Sequence, residues 1–371
     1  MLTTGRQDWG ILRSTCLRLR DDPDWRLILI VGGMHLSRHF GRTASELVAD
    51  GFVADESLAW VDDAGSTPAL EQAGQALSAI GHALERWGPE AVLMVGDRFE
   101  TAAAAIAAAL RRVPIVHLHG GEETAGSIDN AFRHAITQLA ELHLVSHELH
   151  KRRVVSMGID PRKVYVVGAP GLDNLNRPDL PSRSELSERL GIGLDAPVVV
   201  VTLHPATASS VPAAVEAAAL CSAMDAVDAT YVITLPNADP GHAETREALL
   251  TAARKPRRVA VEALGSRFYW GLLKVADAMM GNSSSAIIES SALGVPAVNV
   301  GDRQKGRLRG ANVIDAPAEA TAIASVLRTA LAGRLGEAQE CPFGDGHSAA
   351  SIVETLRAWR PTAAGGGSGV A

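Results

Sequence analysis

The sequence predicts an α/β protein built on parallel sheets and divided into two domains, and three observations predict it. Apolar runs of strand length alternate with helical patterns along the whole chain, the signature of repeated βα units. Hydrophobic residues make up 47% of the chain but aromatics only 4%. That leaves Ala, Val, Leu and Ile as core material, which suits helices laid closely on strands buried on both faces. The length, 371 residues, exceeds one ordinary domain and suits two, each with its own core.

Taken in order, strands are expected at Leu27–Val31, Ala91–Val95, Ile115–Leu118, His143–Val145 and Val164–Val167. Helical spacing lies between them at Thr67–Arg86, Thr101–Arg112 and Ala131–Glu141. Met1–Thr4 is short for a first strand, yet Gly5-Arg6 already has the character of a βα turn. A second series follows, with strands at Pro197–Leu203, Thr230–Leu235, Arg258–Val261, Ala278–Met280 and Ala297–Val300. The Asn-Arg-Pro-Asp-Leu-Pro stretch at 176–181 interrupts both periodicities and reads as a hinge. The expected domains are therefore 1–177 and 178–345, with a helix at 346–360 returning to the first domain. A Gly/Ser-rich tail, 361–371, is expected to be disordered.

Charge and composition narrow the function. A net charge of −7 argues against a general nucleic-acid binder, which needs a basic face. It leaves room for a nucleoside diphosphate, which a few local arginines and backbone N–H groups can hold. Cys16, Cys221 and Cys341 match no metal or redox spacing, so no metal is expected and the thiols read as inert in a reducing compartment. No apolar run reaches membrane-spanning length and no leader pattern opens the chain, so a cytoplasmic protein is expected, with no membrane partner.

The candidate chemistry lies at the carboxyl ends of the expected strands, where open α/β sheets bind ligands. Gly281-Asn282-Ser283-Ser284-Ser285 follows a buried strand and opens an expected helix, an anion site by hydroxyls, N–H groups and dipole. Glu289, nearly two turns on, is placed to accept a ribose hydroxyl pair. The plainer reading is that Asn282 and the serines cap a helix and that Glu289 lies on a solvated face. Asp97, in Gly96-Asp97-Arg98-Phe99-Glu100, reads either as a helix N-cap or as a site carboxylate. His117-Leu118-His119-Gly120-Gly121-Glu122 ends the next strand, and Asp129, Arg133 and His134 follow at a helix start. Carboxylates crowded at adjacent strand ends would raise the proton affinity of at least one, which suits a general acid or base. His204, in Leu203-His204-Pro205, ends a strand of the second series and reads either as structural or as catalytic. The Asn237–His242 segment reads as a turn. Gly301-Asp302-Arg303-Gln304-Lys305-Gly306-Arg307 offers three cations to a diphosphate, with a solvated loop as the default reading.

Taken together, GDRFE, HLHGGEETAGSIDNAFRHAIT and VGAPGLDNL between Gly96 and Leu175 closely resemble bacterial UDP-N-acetylglucosamine 2-epimerases of the hydrolysing, sialic-acid-pathway type. TLHPAT, LPNADPG, SRFYWGLLKVADAMMGNSSSAIIES and VNVGDRQKGR extend the resemblance over the second half. It implies a glycosyltransferase-B-like architecture, two Rossmann-like domains facing across a cleft with the nucleotide sugar between them, and a homodimer. By position, Asp97, Glu122 and Asp129 match the family's catalytic carboxylates. His204 matches its strand-end histidine near the diphosphate, Ser283 and Ser284 its diphosphate holders, and Glu289 its ribose holder. Arg6 matches the arginine after the first strand, although Thr-Thr-Gly-Arg stands here where Thr-Gly-(Thr/Ser)-Arg is usual. Arg133, Asn282 and Ser285 complete the expected UDP-sugar contacts.

The implied activity inverts C2 by anti elimination of UDP. The C2 proton of a neutral sugar is too weakly acidic for direct removal, and breaking the C1–O bond first acidifies it. Glu122 or Asp129 would take the proton, giving a 2-acetamidoglucal, while Asp97 stabilises the cation or shuttles the proton. No cofactor is called for. HGGE, HPAT and GNSSS resemble the hydrolysing type, whose products are N-acetylmannosamine and UDP; the alternative returns UDP and gives UDP-N-acetylmannosamine. The resemblance also reaches relatives acting on GDP-linked or 4-amino-6-deoxy sugars. A glycosyltransferase of the same architecture and a nucleotide-sugar sensor are the competing classes, since fold alone does not fix function.

Overall fold

A computed structural model describes residues 1–64, 66–123, 128–195, 197–206, 211–236, 241–333 and 341–359. Thr207, the Asn237–Pro240 part of the expected turn and the tail 361–371 lie outside the described residues. The backbone forms two compact units, one of Met1–Gly121, Ala131–Pro170 and the chain from His347, the other of Glu122–Asn130 and Gly171–Gly346.

The first unit alternates strands and helices throughout: β1 (Leu2–Thr3), α1 (Arg6–Arg20), β2 (Ile30–Gly32), α2 (Ala44–Ala49), β3 (Glu56–Leu58), α3 (Ala69–Trp87), β4 (Val92–Val95), α4 (Phe99–Leu110), β5 (Ile115–Leu118), α5 (Asp129–Leu139), β6 (Leu142–Val145), α6 (Glu148–Ser156) and β7 (Val164–Val166). All pairings are parallel, in the orders β1-β2-β3 and β4-β5-β6-β7, and β1 runs beside β4. Strand order thus reverses between β1 and β4. Alternate residues of each strand feed two cores: Val92, Met94 and Ile115 join α3 and α4 on one face. Leu93, Val95, Val116 and Leu118 join α1 on the other. α4 approaches α3 closely because its buried residues include six alanines, Ala102–Ala105, Ala107 and Ala108.

The second unit contains α7 (Arg183–Leu190), β8 (Val198–Thr202), α8 (Ala213–Ala226), β9 (Thr230–Thr234), α9 (His242–Ala252), β10 (Arg258–Val261), α10 (Gly265–Val275), β11 (Ala278–Gly281), α11 (Glu289–Leu293), β12 (Ala297–Val300), β13 (Val313–Ala316) and α12 (Ala320–Leu331). Its parallel sheet has the order β10-β9-β8-β11-β12-β13, reversing between β8 and β11. β8 is buried at every residue because it is central and covered on both faces. Val199 and Val201 meet α8, α9 and α12, while α10 packs on β8 and α7 on the opposite side. The proline-rich stretch at 176–181 is tied into this unit, with Arg177 paired to Asp179 at 2.9 Å. Pro181 lies so close to Gly271 that a Cβ there would meet it at 2.4 Å. The last helix, α13 (Ser348–Ala358), packs on α1 and buries Ile352, Val353 and Leu356 in the first unit's core.

Two edge strands, β3 and β13, carry no expectation from the sequence. They are three and four residues long and contain Glu56 and Asp315, too short and too polar to declare a period.

Candidate active site

In the first unit, β4 ends in Gly96, whose φ of +83° turns the chain toward Asp97. Asp97 is not the cap of α4. That position is Arg98, with no side-chain cap bond, while the Asp97 carboxylate pairs with the Arg133 guanidinium from α5. His117 on β5 buttresses the turn: its Nε2 lies 2.8 Å from the Gly96 carbonyl, which can only accept, so that nitrogen carries the proton. Thr137 on α5 donates to the Arg133 carbonyl at 2.9 Å and touches His117 Nδ1 at 3.4 Å. Beside this cluster, Arg98 grips the fully buried Glu100 at 3.1 Å.

Arg6 is the first residue of α1, directly after the two-residue β1 and the extended Gly5. The turn is held by Asp8, which accepts from the Thr4 N–H and hydroxyl, both at 2.7 Å. Burial pushes the Asp8 carboxyl up to about 6, against the pull of those Thr4 bonds and the Arg98 charge. The neighbouring loop after β2 is structural. His35 is fully buried and sits 2.8 Å from both Thr3 and Thr43, and burial lowers its pKa to about 3.

The second unit concentrates its candidates where β8 and β11 end side by side. Gly281 has a φ of +136°, and a Cβ there would fall 1.9 Å from the Thr202 carbonyl oxygen, so only glycine allows the approach. Asn282 then binds outward in every direction. Its main-chain N–H donates to Thr202 O at 3.0 Å. Its side chain accepts from His204 N–H and donates to His204 O, each at 2.8 Å. Its carbonyl accepts from Arg303 at 3.1 Å and Gln304 at 2.8 Å. The Asn282 carboxamide thus staples one strand end to the other.

The helix expected to open at the serine motif is in fact two pieces. Ser283 caps a single 3-10 turn, Ser284–Ala286, accepting from Ser285 N–H at 3.3 Å, and α11 begins anew at Glu289. Ile287 and Ile288, between the two turns, are both buried. Ser283, Ser284 and Glu289 stay half-buried, while the Ser285 hydroxyl accepts from Tyr269 at 2.7 Å.

In the Gly301–Arg307 loop the default reading of a solvated charge run holds for Asp302 and Lys305, which are exposed and lie 3.7 Å apart, but not for the rest. Gln304 is completely buried, its amide donating to Asn282 O and accepting from Arg307 Nη1 at 3.1 Å. Arg307 also pairs with Glu122, the two side chains being 8% and 1% exposed. Two of the three candidate carboxylates thus pair with cations, Asp97 with Arg133 and Glu122 with Arg307. Beneath the loop, Glu216 of α8 lies against Gly301, where a Cβ would meet its Oε1 at 2.7 Å. Burial, then the Asp302 charge, push its carboxyl up to about 7 against the opposing pull of Arg303. Asp129 opens α5, half-buried.

Comparison with known proteins decides the family. A model described as UDP-N-acetylglucosamine 2-epimerase matches residues 17–357. The chain belongs to this epimerase family. Among its relatives is a GDP/UDP-N,N'-diacetylbacillosamine 2-epimerase (hydrolyzing) of Campylobacter jejuni, 33% identical over 85% of this chain and 83% of that one. A UDP-N,N'-diacetylbacillosamine 2-epimerase (hydrolyzing) of Legionella pneumophila is 33% identical over 96% and 94%. The fold is that of the Methanocaldococcus jannaschii UDP-GlcNAc 2-epimerase solved with UDP-GlcNAc and UDP (TM-score 0.82, 17% identity, 96% and 99% covered), a glycosyltransferase-B-like fold.

Within this epimerase-family chain, the strand-end residues were open to sequence reasoning but their partners were not. His117 and Gln304, and the pairing roles of Arg133 and Arg307, come from distant segments. Gly301, where a Cβ would meet Glu216 Oε1 at 2.7 Å, marks one close approach in this loop. Among the described residues, no group of three His, Cys, Asp or Glu is placed to hold a metal ion, and no helix is long and apolar enough to cross a membrane.

Proposed function

We propose that this chain is a hydrolysing UDP-N-acetylglucosamine 2-epimerase. The observation that carries the reading is the strand-end cluster of Glu122, Arg307, Gln304, Asn282, His204 and the Ser283–Ser285 turn, at a point where strand order reverses, the usual location of ligands in such sheets. The half-buried Ser283 and Ser284 and the cations of the 301–307 loop bind the diphosphate, and Glu289 takes the ribose hydroxyls. The C1–O bond breaks with its electron pair leaving on UDP, stabilised by these groups. Glu122 (or Asp129) accepts the C2 proton, and the C–H pair forms the C1=C2 bond of the glycal. A proton returns to C2 from the opposite face while water adds its hydroxyl to C1, giving N-acetylmannosamine and UDP. Asp97, held by Arg133, supplies the further carboxylate that stabilises the developing cation. No electron leaves the sugar overall, so the scheme asks for no redox cofactor. The names of the Campylobacter and Legionella relatives support both the hydrolytic outcome and a second substrate, a 2,4-diacetamido-6-deoxy sugar. On the family resemblance the assembly is a homodimer, which light scattering tests.

The deciding experiment incubates the chain in D2O with UDP-N-acetylglucosamine and, separately, UDP-diacetylbacillosamine, followed by proton and phosphorus NMR. Deuterium at C2 of a free manno-configured sugar, with UDP released, is the expected result. A stable pair of UDP-sugars would make the enzyme UDP-retaining. Binding without exchange on either sugar would remove the epimerase reading.

A further inference from the structure

Arg307 is bound on two sides by groups with different expected roles. Its Nη2 holds the buried Glu122, and its Nη1 donates at 3.1 Å to Gln304. Gln304 in turn donates at 2.8 Å to the carbonyl of Asn282, the residue that begins the serine turn. One amide side chain therefore separates the guanidinium from the proposed diphosphate position. Arg307 Nε is buried and has no hydrogen-bond partner among the described residues. A buried guanidinium with an unused donor, one amide side chain from the proposed diphosphate turn, is poised for a second acceptor.

We propose that Arg307 is a positioning residue shared between Glu122 and the nucleotide: it holds Glu122 while the site is empty and is drawn to phosphate oxygens when a nucleoside diphosphate docks. This deepens the proposed function and rests on it. A carboxylate gripped by a guanidinium is a poor proton acceptor, because abstraction of a proton would break a buried ion pair. Releasing the cation to the diphosphate restores the basicity of Glu122 and stabilises the leaving group with the same charge. Base activation is thereby tied to the presence of UDP on the sugar, and a sugar lacking the diphosphate would meet a base still held in its ion pair.

The idea makes a prediction of unusual sign for binding, measurable by calorimetry with UDP alone and so independent of turnover. If Glu122 and the diphosphate compete for Arg307, Glu122→Gln binds UDP more tightly than the unaltered chain, by about tenfold. Arg307→Met binds UDP more weakly, and adding Glu122→Gln to Arg307→Met restores nothing. Should Arg307→Met fail to fold, Arg307→Lys takes its place in the cycle, with a reduced coupling expected because lysine lacks the two-sided fork. Unchanged or weaker UDP binding by Glu122→Gln overturns the proposal. So does a gain that persists at full size in the Arg307→Met background, which would mark plain repulsion between Glu122 and the phosphates. Failure of the unaltered chain to bind UDP at all would strike the proposed function itself, and is read before either variant is made.

Discussion

Replacing Asn282 by alanine isolates the staple between the two strand ends. The main-chain bonds of Asn282 to Thr202, Arg303 and Gln304 survive, because they use its backbone. What disappears is the pair of 2.8 Å bonds to His204 N–H and O, in a residue only 7% exposed. A buried polar group stripped of its partner costs about 1–3 kcal/mol, so two such groups set a range of roughly 2–6 kcal/mol. Water entering the alanine void recovers part of this, and a loss of about 2–4 kcal/mol is expected. The loss should be local, because the bonds join only β8 and β11. Hydrogen exchange read by mass spectrometry would then show faster opening of the 198–204 and 278–285 segments, with β4 and β5 unchanged. UDP affinity should fall about tenfold as the serine turn loses its fixed origin, each tenfold being about 1.4 kcal/mol. Exchange in both segments within 0.5 kcal/mol (roughly twofold) of the unaltered chain, together with intact UDP affinity, would refute the staple.

Glu122→Gln should lower the rate of C2 exchange and product formation by about 10²–10⁴ while UDP still binds; near-normal turnover would exclude Glu122 as the base. Gly281→Ala should cost at least about 3 kcal/mol, because its Cβ would sit 1.9 Å from Thr202 O at a φ of +136°, and an unchanged melting temperature would contradict this. Asp8 gives a pH signature. Its folded value of about 6 exceeds the ordinary 3.8, so between those values the folded chain keeps a proton that the unfolded chain has lost. Its contribution to stability therefore falls as pH rises through that window. Asp8→Asn should lessen the slope and stabilise the first unit at pH 7 by up to about 3 kcal/mol; denaturation of both proteins at pH 4, 5 and 7 checks it, and identical slopes would refute it.

The central strands were legible because burial on both faces leaves unbroken runs such as Val198–Val201 and Val92–Val95. β1 was doubtful because its two residues hold a strand geometry only through parallel pairing with Ile30 and Val31. The candidate residues stood out for a related reason: a parallel strand that must hand a side chain to a ligand ends in a turn, and turns announce themselves through Gly96, Gly120-Gly121 and Gly281. Partner choice left no such mark. Glu122 and Arg307 lie 185 residues apart, and nothing local to either tells which cation will reach which carboxylate. The serine motif was half legible: the capping and anion-site readings draw on the same hydroxyls and N–H groups, and Ser283 caps a turn while remaining accessible.

The path of the chain between its two units bears on how the protein is made. The first unit to leave the ribosome cannot be finished first, because Ile352, Val353 and Leu356 of α13 belong to the core that also holds Trp9, Leu12 and Cys16. The second unit has its last residue at Gly346 and can close while the amino-terminal sheet still lacks a helix. A nascent chain halted there would leave uncovered the surface of α1 on which α13 packs. Until α13 docks, that face of α1 stays open to solvent, and slowing of hydrogen exchange in α1 would report the docking.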